Sequence, residues 1–142
     1  MDLKLTDDQK QLRDVARDFA VGEMTSVARE LEYTNQPLGR EYVKQYAKMG
    51  FLGINVDKEL GGLGLGNIEA LVVLEEFAKV SPAIAFPIFE SSVGPVRAIE
   101  HFAGTDLVKR IVPSVCAGER IIAVAMSEPN AGSALTDLKT QA

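Results

Sequence analysis

The sequence predicts an all-α helix bundle that ends in a single short β-strand. Apolar residues recur at helical spacing over residues 1–120, and glycine- or proline-containing stretches separate the runs. At residues 121–126 the pattern changes to a β-favouring run between Gly118 and Pro129. Because a lone strand is not stable by itself, we expect residues 1–120 to be a helical N-terminal domain and residues 121–142 to be the incomplete start of a β-domain.

Capping and breaking residues predict where the first helices begin and end. Thr6 and Gln9 have the spacing of a capping box, and the apolar stripe behind them ends near Gly22. A second helix is expected over residues 24–32. A third follows over residues 40–49, after a loop that contains asparagine and proline.

The second half of the bundle is predicted in the same way. Asn67 is expected to cap a helix over residues 68–80, which is apolar around so much of its circumference that it should lie buried between others. Ser81 and Pro82 have the form of another helix start. That helix is expected to be interrupted at Pro87 and again at Pro95, and a last helix is expected over residues 105–118.

Composition narrows the class of protein. Apolar residues make up 46% and charged residues 25% of the 142 residues, which is ordinary for a soluble globular protein. The 20 acidic residues outnumber the 15 basic ones, and the lack of a basic cluster argues against a nucleic-acid partner. Cys116 is the only cysteine, which suits a reducing compartment. With no signal-peptide pattern and no stretch able to span a membrane, the sequence predicts a cytoplasmic protein.

The strongest candidate for a ligand-binding segment is residues 124–133, Val-Ala-Met-Ser-Glu-Pro-Asn-Ala-Gly-Ser. It predicts a strand that runs into a turn carrying two serines. Gly132 allows a ligand to approach the backbone closely, and the hydroxyls of Ser127 and Ser133 are hydrogen-bond donors. On local chemistry alone, an ordinary strand-to-loop exit is the favoured interpretation.

This segment is similar to the acyl-CoA dehydrogenase signature, in which Thr/Ser-Glu-Pro is followed by Ala-Gly-Ser-Asp. Three further blocks agree in order and spacing: Leu-Thr-Asp-Asp-Gln at residues 5–9, Met-Gly-Phe-Leu-Gly at 49–53, and Glu-Leu-Gly-Gly-Leu-Gly-Leu at 59–65 with Val-Leu-Glu-Glu-Phe-Ala at 73–78. The chain therefore resembles the N-terminal helical domain of that family plus the first strand of its middle β-domain.

The resemblance implies a flavin-dependent enzyme that removes hydrogen from the α and β carbons of an acyl-CoA thioester and passes a hydride to FAD. It also implies electron transfer flavoprotein as the electron acceptor and assembly into a homo-oligomer or hetero-oligomer. In the family the catalytic glutamate belongs to a C-terminal helical domain that residues 1–142 do not contain. We therefore expect no catalytic residue here, and no activity from this chain alone.

The resemblance also implies which residues bind the cofactor. Val124, Met126 and Ser127 would lie beside the isoalloxazine ring. Gly132 and Ser133 would approach the FAD pyrophosphate, and Ser133 would also lie near the acyl-CoA.

Two positions depart from the family pattern. Val124 stands where the family often has an aromatic residue, and Ala134 replaces the usual Asp after Gly-Ser. These departures motivate an alternative function, in which the chain is a non-catalytic partner subunit or interaction module with the same fold.

The glycine-rich run at residues 61–66 invites a phosphate-binding interpretation. It does not have the G-x-x-x-x-G-K-[ST] pattern, and no strand of a βαβ unit clearly precedes it. A plain loop between helices is therefore the favoured interpretation.

Other side chains could carry chemistry but have simpler explanations. His101 is the only histidine, and we expect it on the surface or at the C-terminal end of a helix. Glu23, Glu75 and Glu76 lack partner histidines at metal-ligand spacing, so we expect them on solvated helix faces. Cys116 is expected to be a small packed residue rather than a reactive thiol.

Overall fold

The computed structural model describes residues 4–141, which form six α-helices and two short 3-10 helices. The α-helices are α1 (Asp7–Thr34), α2 (Arg40–Lys48), α3 (Asn67–Val80), α4 (Pro82–Ser92), α5 (Pro95–Phe102) and α6 (Thr105–Cys116), and the 3-10 helices are Lys58–Leu60 and Leu135–Asp137. The predicted all-α fold class is confirmed. Among the helices of residues 4–141, none is long and apolar enough to cross a membrane.

Helix α1 begins at the predicted capping box. The amide of Gln9 donates to Thr6 Oγ1 at 3.2 Å, and the amide of Thr6 donates to Gln9 Oε1 at 3.0 Å. The predicted break at Gly22 is wrong, because α1 continues to Thr34. Gly22 faces open space, whereas Ala20 and Met24 on either side are fully buried. Packing of that buried face therefore outweighs the weak helix propensity of one glycine.

An aromatic cluster forms the centre of the core. It consists of Phe19 from α1, Tyr46 from α2, Phe51 from the following loop and Phe77 from α3. The ring centroid of Phe77 lies 5.0 Å from that of Tyr46, 5.2 Å from Phe51 and 5.9 Å from Phe19. The pairs with Tyr46 and Phe51 are edge-to-face, and such pairs stabilise a core beyond the effect of burial alone. Phe77 thus joins three separate parts of the chain.

Helix α3 is buried along one broad face only. Val73 and Phe77 are fully buried, but Leu71 is 50% exposed and Leu74 is only partly buried. The expectation that the whole helix lies buried between others is therefore wrong for its outer face. The predicted cap is also wrong, because Gly66 occupies the N-cap position.

Of the two helix interruptions predicted at Pro87 and Pro95, only the one at Pro95 is present. Ser81 caps α4, since its Oγ accepts a hydrogen bond from the amide of Ala83 at 3.2 Å. Pro87 lies inside α4 without ending it, so the predicted interruption there is wrong. The fully buried Ile88 next to it shows that core packing holds this helix together. The break before Pro95 is confirmed, because α5 begins at that residue.

The glycine-rich stretch is a loop between α2 and α3, as predicted. Its four amides at residues 62–65 all donate to backbone carbonyls of the same loop, at 2.8–3.1 Å. A Cβ on Gly62 would collide with the carbonyl oxygens of Gly53 and Val56, so the close approach requires glycine. Because these amides are already paired, the loop does not offer them to a phosphate group.

Two serines of α4 fix this loop to the bundle. The hydroxyl oxygen of Ser91 accepts from the amide of Gly53 at 3.4 Å, and that of Ser92 accepts from the amide of Ile54 at 3.2 Å. Both serines are buried, with 2% and 0% of their surfaces exposed. Buried amides at the start of the loop are thereby satisfied by side chains instead of water.

The predicted strand at residues 121–126 is absent. Residues 121–127 have no regular secondary structure, and within residues 4–141 the isolated β-bridge is a single antiparallel pair, Glu128 with Ala131. A strand needs a neighbour to satisfy its backbone groups, and the described residues supply none beside this segment. The division into a helical domain and the start of a β-domain remains a prediction.

The aromatic cluster gives a test of the fold. Replacing Phe77 by Ala removes the ring shared by three parts of the chain, so Phe77→Ala should lower the free energy of unfolding by about 3–5 kcal/mol. Leu71→Ala on the exposed side of the same helix should lower it by about 0.5 kcal/mol or less. Denaturant titration of both variants checks this. Equal losses would contradict the assignment of the two faces.

Candidate functional site

The candidate segment leaves the bundle at the end of α6. Gly118 has a φ of 69°, a left-handed conformation that reverses the chain and favours glycine. The amides of Glu119 and Arg120 both donate to Ser114 O, at 2.9 and 3.1 Å. Ile122 then packs against a small cluster of buried residues from the loop, α5 and α6. The bundle therefore fixes the point from which residues 123–141 extend.

All five candidate cofactor-binding residues lie on this one exposed segment. Val124 and Met126 are 52% and 53% exposed. Ser127, Gly132 and Ser133 are exposed as well, and a Cβ on Gly132 would meet no atom within 4 Å. The segment thus forms one open wall instead of an enclosed pocket.

The serines of the segment differ from the other serines near it. Ser91, Ser92 and Ser114 use their hydroxyls in hydrogen bonds within the bundle. Among the side-chain hydrogen bonds of residues 4–141, none involves the hydroxyl of Ser127 or of Ser133. Both hydroxyls are therefore available to donate to a flavin or phosphate oxygen, which fits the donor set that such a ligand needs.

The structure also identifies a residue that the sequence did not single out. The Glu128 carboxylate accepts hydrogen bonds from the amides of Lys139 and Thr140, at 3.0 and 2.9 Å, and from the Thr140 hydroxyl. These donors lower the pKa of Glu128, the hydroxyl of Thr140 having the largest effect. The two partners are eleven and twelve residues downstream, a separation that no local motif reveals.

A second feature that the sequence did not reveal is an apolar groove between α3 and α4. The groove has a volume of about 250 Å³ and is lined by Leu74, Ala78, Pro82, Ala85, Phe86 and Phe89. Phe86 is 56% and Phe89 39% exposed, and their rings are in edge-to-face contact at 6.2 Å. Glu90 lies on α4 as well, and partial burial of its carboxyl group raises its pKa. Exposed aromatic surface of this kind is typical of a contact face.

Glu76 is not on a solvated helix face, so that prediction is wrong for this residue. Glu76 is 3% exposed, and Arg17 of α1 binds it with two hydrogen bonds, Nε–Oε2 at 3.0 Å and Nη2–Oε1 at 3.1 Å. Lys79 adds a contact at 2.8 Å. The hydrogen bond from Arg17 is the main reason why the pKa of Glu76 lies below its ordinary value. The pair joins α1 to α3 beside the aromatic cluster.

The remaining side chains behave as expected. His101 is exposed in the last turn of α5, 3.3 Å from Arg97 Nη2 through Nε2. Cys116 is buried, and burial is the main cause that raises the pKa of its thiol to about 11, with the charge of Glu100 adding to it. Glu23 is exposed, and Glu75 has a 66% exposed side chain. Within residues 4–141, no group of three or more histidine, cysteine or acidic side chains could hold a metal ion.

The geometry defines a class: a helical domain from whose C-terminal end an exposed segment extends. The family model for the N-terminal domain of acyl-CoA dehydrogenases matches residues 6–119. Mitochondrial isovaleryl-CoA dehydrogenase of Bos taurus is 34% identical over 139 residues, which cover 97% of this chain and 33% of that protein. The NADH-dependent acryloyl-CoA reductase of Anaerotignum propionicum is 34% identical over 142 residues, covering 100% of this chain and 36% of that protein.

A solved structure agrees with these relatives. The FAD complex of PigA superimposes with a TM-score of 0.84 at 26% identity, covering 98% of this chain and 37% of that one. The chain belongs to the acyl-CoA dehydrogenase family. It spans about a third of the length of the curated relatives that it matches.

The ion pair between Arg17 and the buried Glu76 generates a prediction about stability and pH. Glu76→Gln weakens the paired hydrogen bonds to Arg17 and should lower the free energy of unfolding at neutral pH by about 1–3 kcal/mol. Because folding lowers the pKa of Glu76, the stabilisation is present above the ordinary value of 4.5 and is lost as the pH falls through the lowered pKa. The difference between wild type and variant should therefore shrink in acid.

Glu75→Gln is the matched control, because Glu75 adjoins Glu76 and forms a surface ion pair with Lys79 at 2.9 Å. Its cost should stay below about 1 kcal/mol. Denaturant titrations of both variants over a series of pH values measure the effect. If Glu76→Gln lowers the free energy of unfolding by the same amount in acid as at neutral pH, the carboxylate charge is not what stabilises the packing of α1 against α3.

Proposed function

We propose that this chain is the N-terminal part of a flavin-dependent acyl-CoA dehydrogenase, which dehydrogenates the α and β carbons of an acyl-CoA thioester. The observation that carries the proposal is the exposed segment that follows a family-typical bundle, where the Ser127 and Ser133 hydroxyls have no hydrogen-bond partner among residues 4–141. The FAD bound in the PigA complex supports the choice of cofactor. The acyl-CoA relatives support the substrate class.

Each residue of the segment makes a different contact with the cofactor. Val124 and Met126 provide apolar surface for the flavin ring, and the Ser127 hydroxyl donates to one of its polar atoms. Gly132 lets the backbone come close to the pyrophosphate, where Ser133 donates a hydrogen bond and also borders the acyl-CoA. FAD, when bound, supplies the redox chemistry by accepting the hydride.

The chain by itself is inactive in this proposal. Its candidate residues form one open wall, whereas a flavin cofactor requires partners on several sides of a concave pocket. The rest of the pocket, and the catalytic base, would come from the part of the longer protein that the relatives possess. The match of the family model to residues 6–119 supports a domain that ends near residue 120.

The electron acceptor and the assembly are proposed from the family. We infer electron transfer flavoprotein as the electron acceptor, assembly into an oligomer, and a cytoplasmic location in line with the single cysteine. The alternative of a non-catalytic partner subunit rested on Val124 and Ala134. The curated relatives reported above carry enzyme names, and they do not favour it.

Alanine variants of the two serines test this function in a chain of the relatives' full length. Loss of a hydroxyl that donates to a buried flavin or phosphate oxygen leaves that acceptor unpaired, at a cost of about 1–3 kcal/mol. Ser127→Ala should therefore alter flavin affinity or redox behaviour. Ser133→Ala should weaken FAD retention and acyl-CoA binding. Flavin dissociation and acyl-CoA titration are the measurements.

Ser114→Ala is the control, because the Ser114 hydroxyl donates to Ile111 O within α6 at 2.7 Å. It should retain flavin like the wild type. If both segment variants match the wild type, or if Ser114→Ala loses as much flavin as they do, the placement of the cofactor is wrong.

A further inference from the structure

The loop over residues 128–140 is closed by one side chain. Glu128 Oε2 accepts from the amide of Lys139 at 3.0 Å, and Oε1 accepts from the amide of Thr140 at 2.9 Å and from its hydroxyl. A pair of backbone hydrogen bonds between Glu128 and Ala131, at 2.9 and 3.1 Å, closes the tight turn inside the loop. Glu128 therefore fixes the loop through both its backbone and its side chain.

The part of the loop that Glu128 encloses is otherwise weakly held. Ala131 is 3% exposed, but residues 132–140 are all exposed. Their regular structure is one 3-10 turn, Leu135–Asp137. A segment of this kind loses much conformational freedom when it orders around a ligand. Contacts that fix its ends in advance reduce that loss, so they raise affinity without touching the ligand.

We propose that Glu128 is the positioning residue of the cofactor-binding turn: by holding residues 139 and 140, its carboxylate keeps Gly132 and Ser133 in the conformation that receives FAD. The inference rests on the proposed function, since it assigns that turn to the cofactor. The carboxylate acts through the loop, because its oxygens are occupied by the loop's own donors. The hydrogen bonds from the Thr140 hydroxyl and from the two amides also lower the pKa of Glu128, because they stabilise its charged form.

Four variants in the full-length chain test the proposal through the FAD dissociation constant. Glu128→Ala removes all three hydrogen bonds and should weaken FAD binding at least about tenfold. Glu128→Gln should be intermediate, because its amide oxygen can still accept from Thr140 while its NH2 group cannot accept from Lys139. Thr140→Val should have a smaller effect. The double variant Thr140→Val with Glu128→Ala should bind FAD about as weakly as Glu128→Ala alone, because both substitutions remove the same contact.

Asp137→Asn is the matched control, because it removes one exposed carboxylate from the same loop. It should leave FAD affinity and the melting temperature unchanged. The melting temperature of the apo-protein should also be unchanged in the Glu128 variants, since the loop lies outside the helical core. A general structural defect would instead lower melting and affinity together, and that outcome would overturn the proposal.

A second measurement separates this inference from the proposed function. In the 142-residue chain, Glu128→Ala should shift the amide resonances of Gly132, Ser133 and Thr140, and Asp137→Asn should leave the Thr140 resonance in place. If the wild-type full-length chain binds FAD and the Glu128 variants bind it equally well, the positioning role of Glu128 is overturned and the proposed function is not. A wild-type full-length chain that retains no FAD overturns the proposed function and the cofactor role of Glu128 together, even where the resonances shift.

Discussion

The packing of α3 against α1 is the interaction on which the rest of the structure depends. Phe77 brings Phe19, Tyr46 and Phe51 into one aromatic cluster, and Arg17 forms an ion pair with the buried Glu76 across the same two helices. These contacts set the place of α2 and of the loop that follows Phe51. The loop is in turn fixed to α4 through buried serine hydroxyls.

The same chain of contacts reaches the candidate segment. Val56 of the loop packs with Val96 of α5 and with Val112 and Cys116 of α6, in a second buried cluster. That cluster holds the end of α6, where Gly118 turns the chain outward. The position of the segment is therefore a consequence of core packing, although none of the candidate residues belongs to the core. A segment placed in this way is held by the fold at its start and exposed beyond it.

Local signals in the sequence predicted the elements whose ends depend on local chemistry. The capping box at Thr6 and the Ser81–Pro82 start are formed by hydrogen bonds within one turn, so they could be inferred from spacing. Gly22 and Pro87 misled the prediction because their helices are held by buried neighbours far along the chain. Propensity gives no account of that tertiary packing.

Asn67 shows how a distant partner can override a local signal. Its Oδ1 accepts a hydrogen bond from Asn55 Nδ2 at 2.6 Å, whereas Gly66 takes the N-cap position of α3. The identity of a capping residue therefore depended on the loop twelve residues upstream, which spacing within the helix does not reveal.

The candidate site could be located from the sequence but not described from it. The Ser-Glu-Pro and Ala-Gly-Ser motifs drew attention to residues 124–133 through the family resemblance. The predicted strand did not form, because strand pairing requires a neighbour that residues 4–141 do not supply. The tie from Glu128 to Thr140 and the burial of Glu76 both depend on partners brought close only by the fold. Charge and spacing alone gave no sign of either.

Hydrogen–deuterium exchange tests the central proposal most directly, namely that the helical core carries a cofactor-binding segment which the rest of a longer protein completes. The 142-residue chain is compared with a full-length chain loaded with FAD. We expect slow exchange in α1, α3 and α4 of both proteins. Over residues 121–134 we expect fast exchange in the short chain and slow exchange in the FAD-loaded protein. Equal protection of that segment in the two proteins would contradict the account.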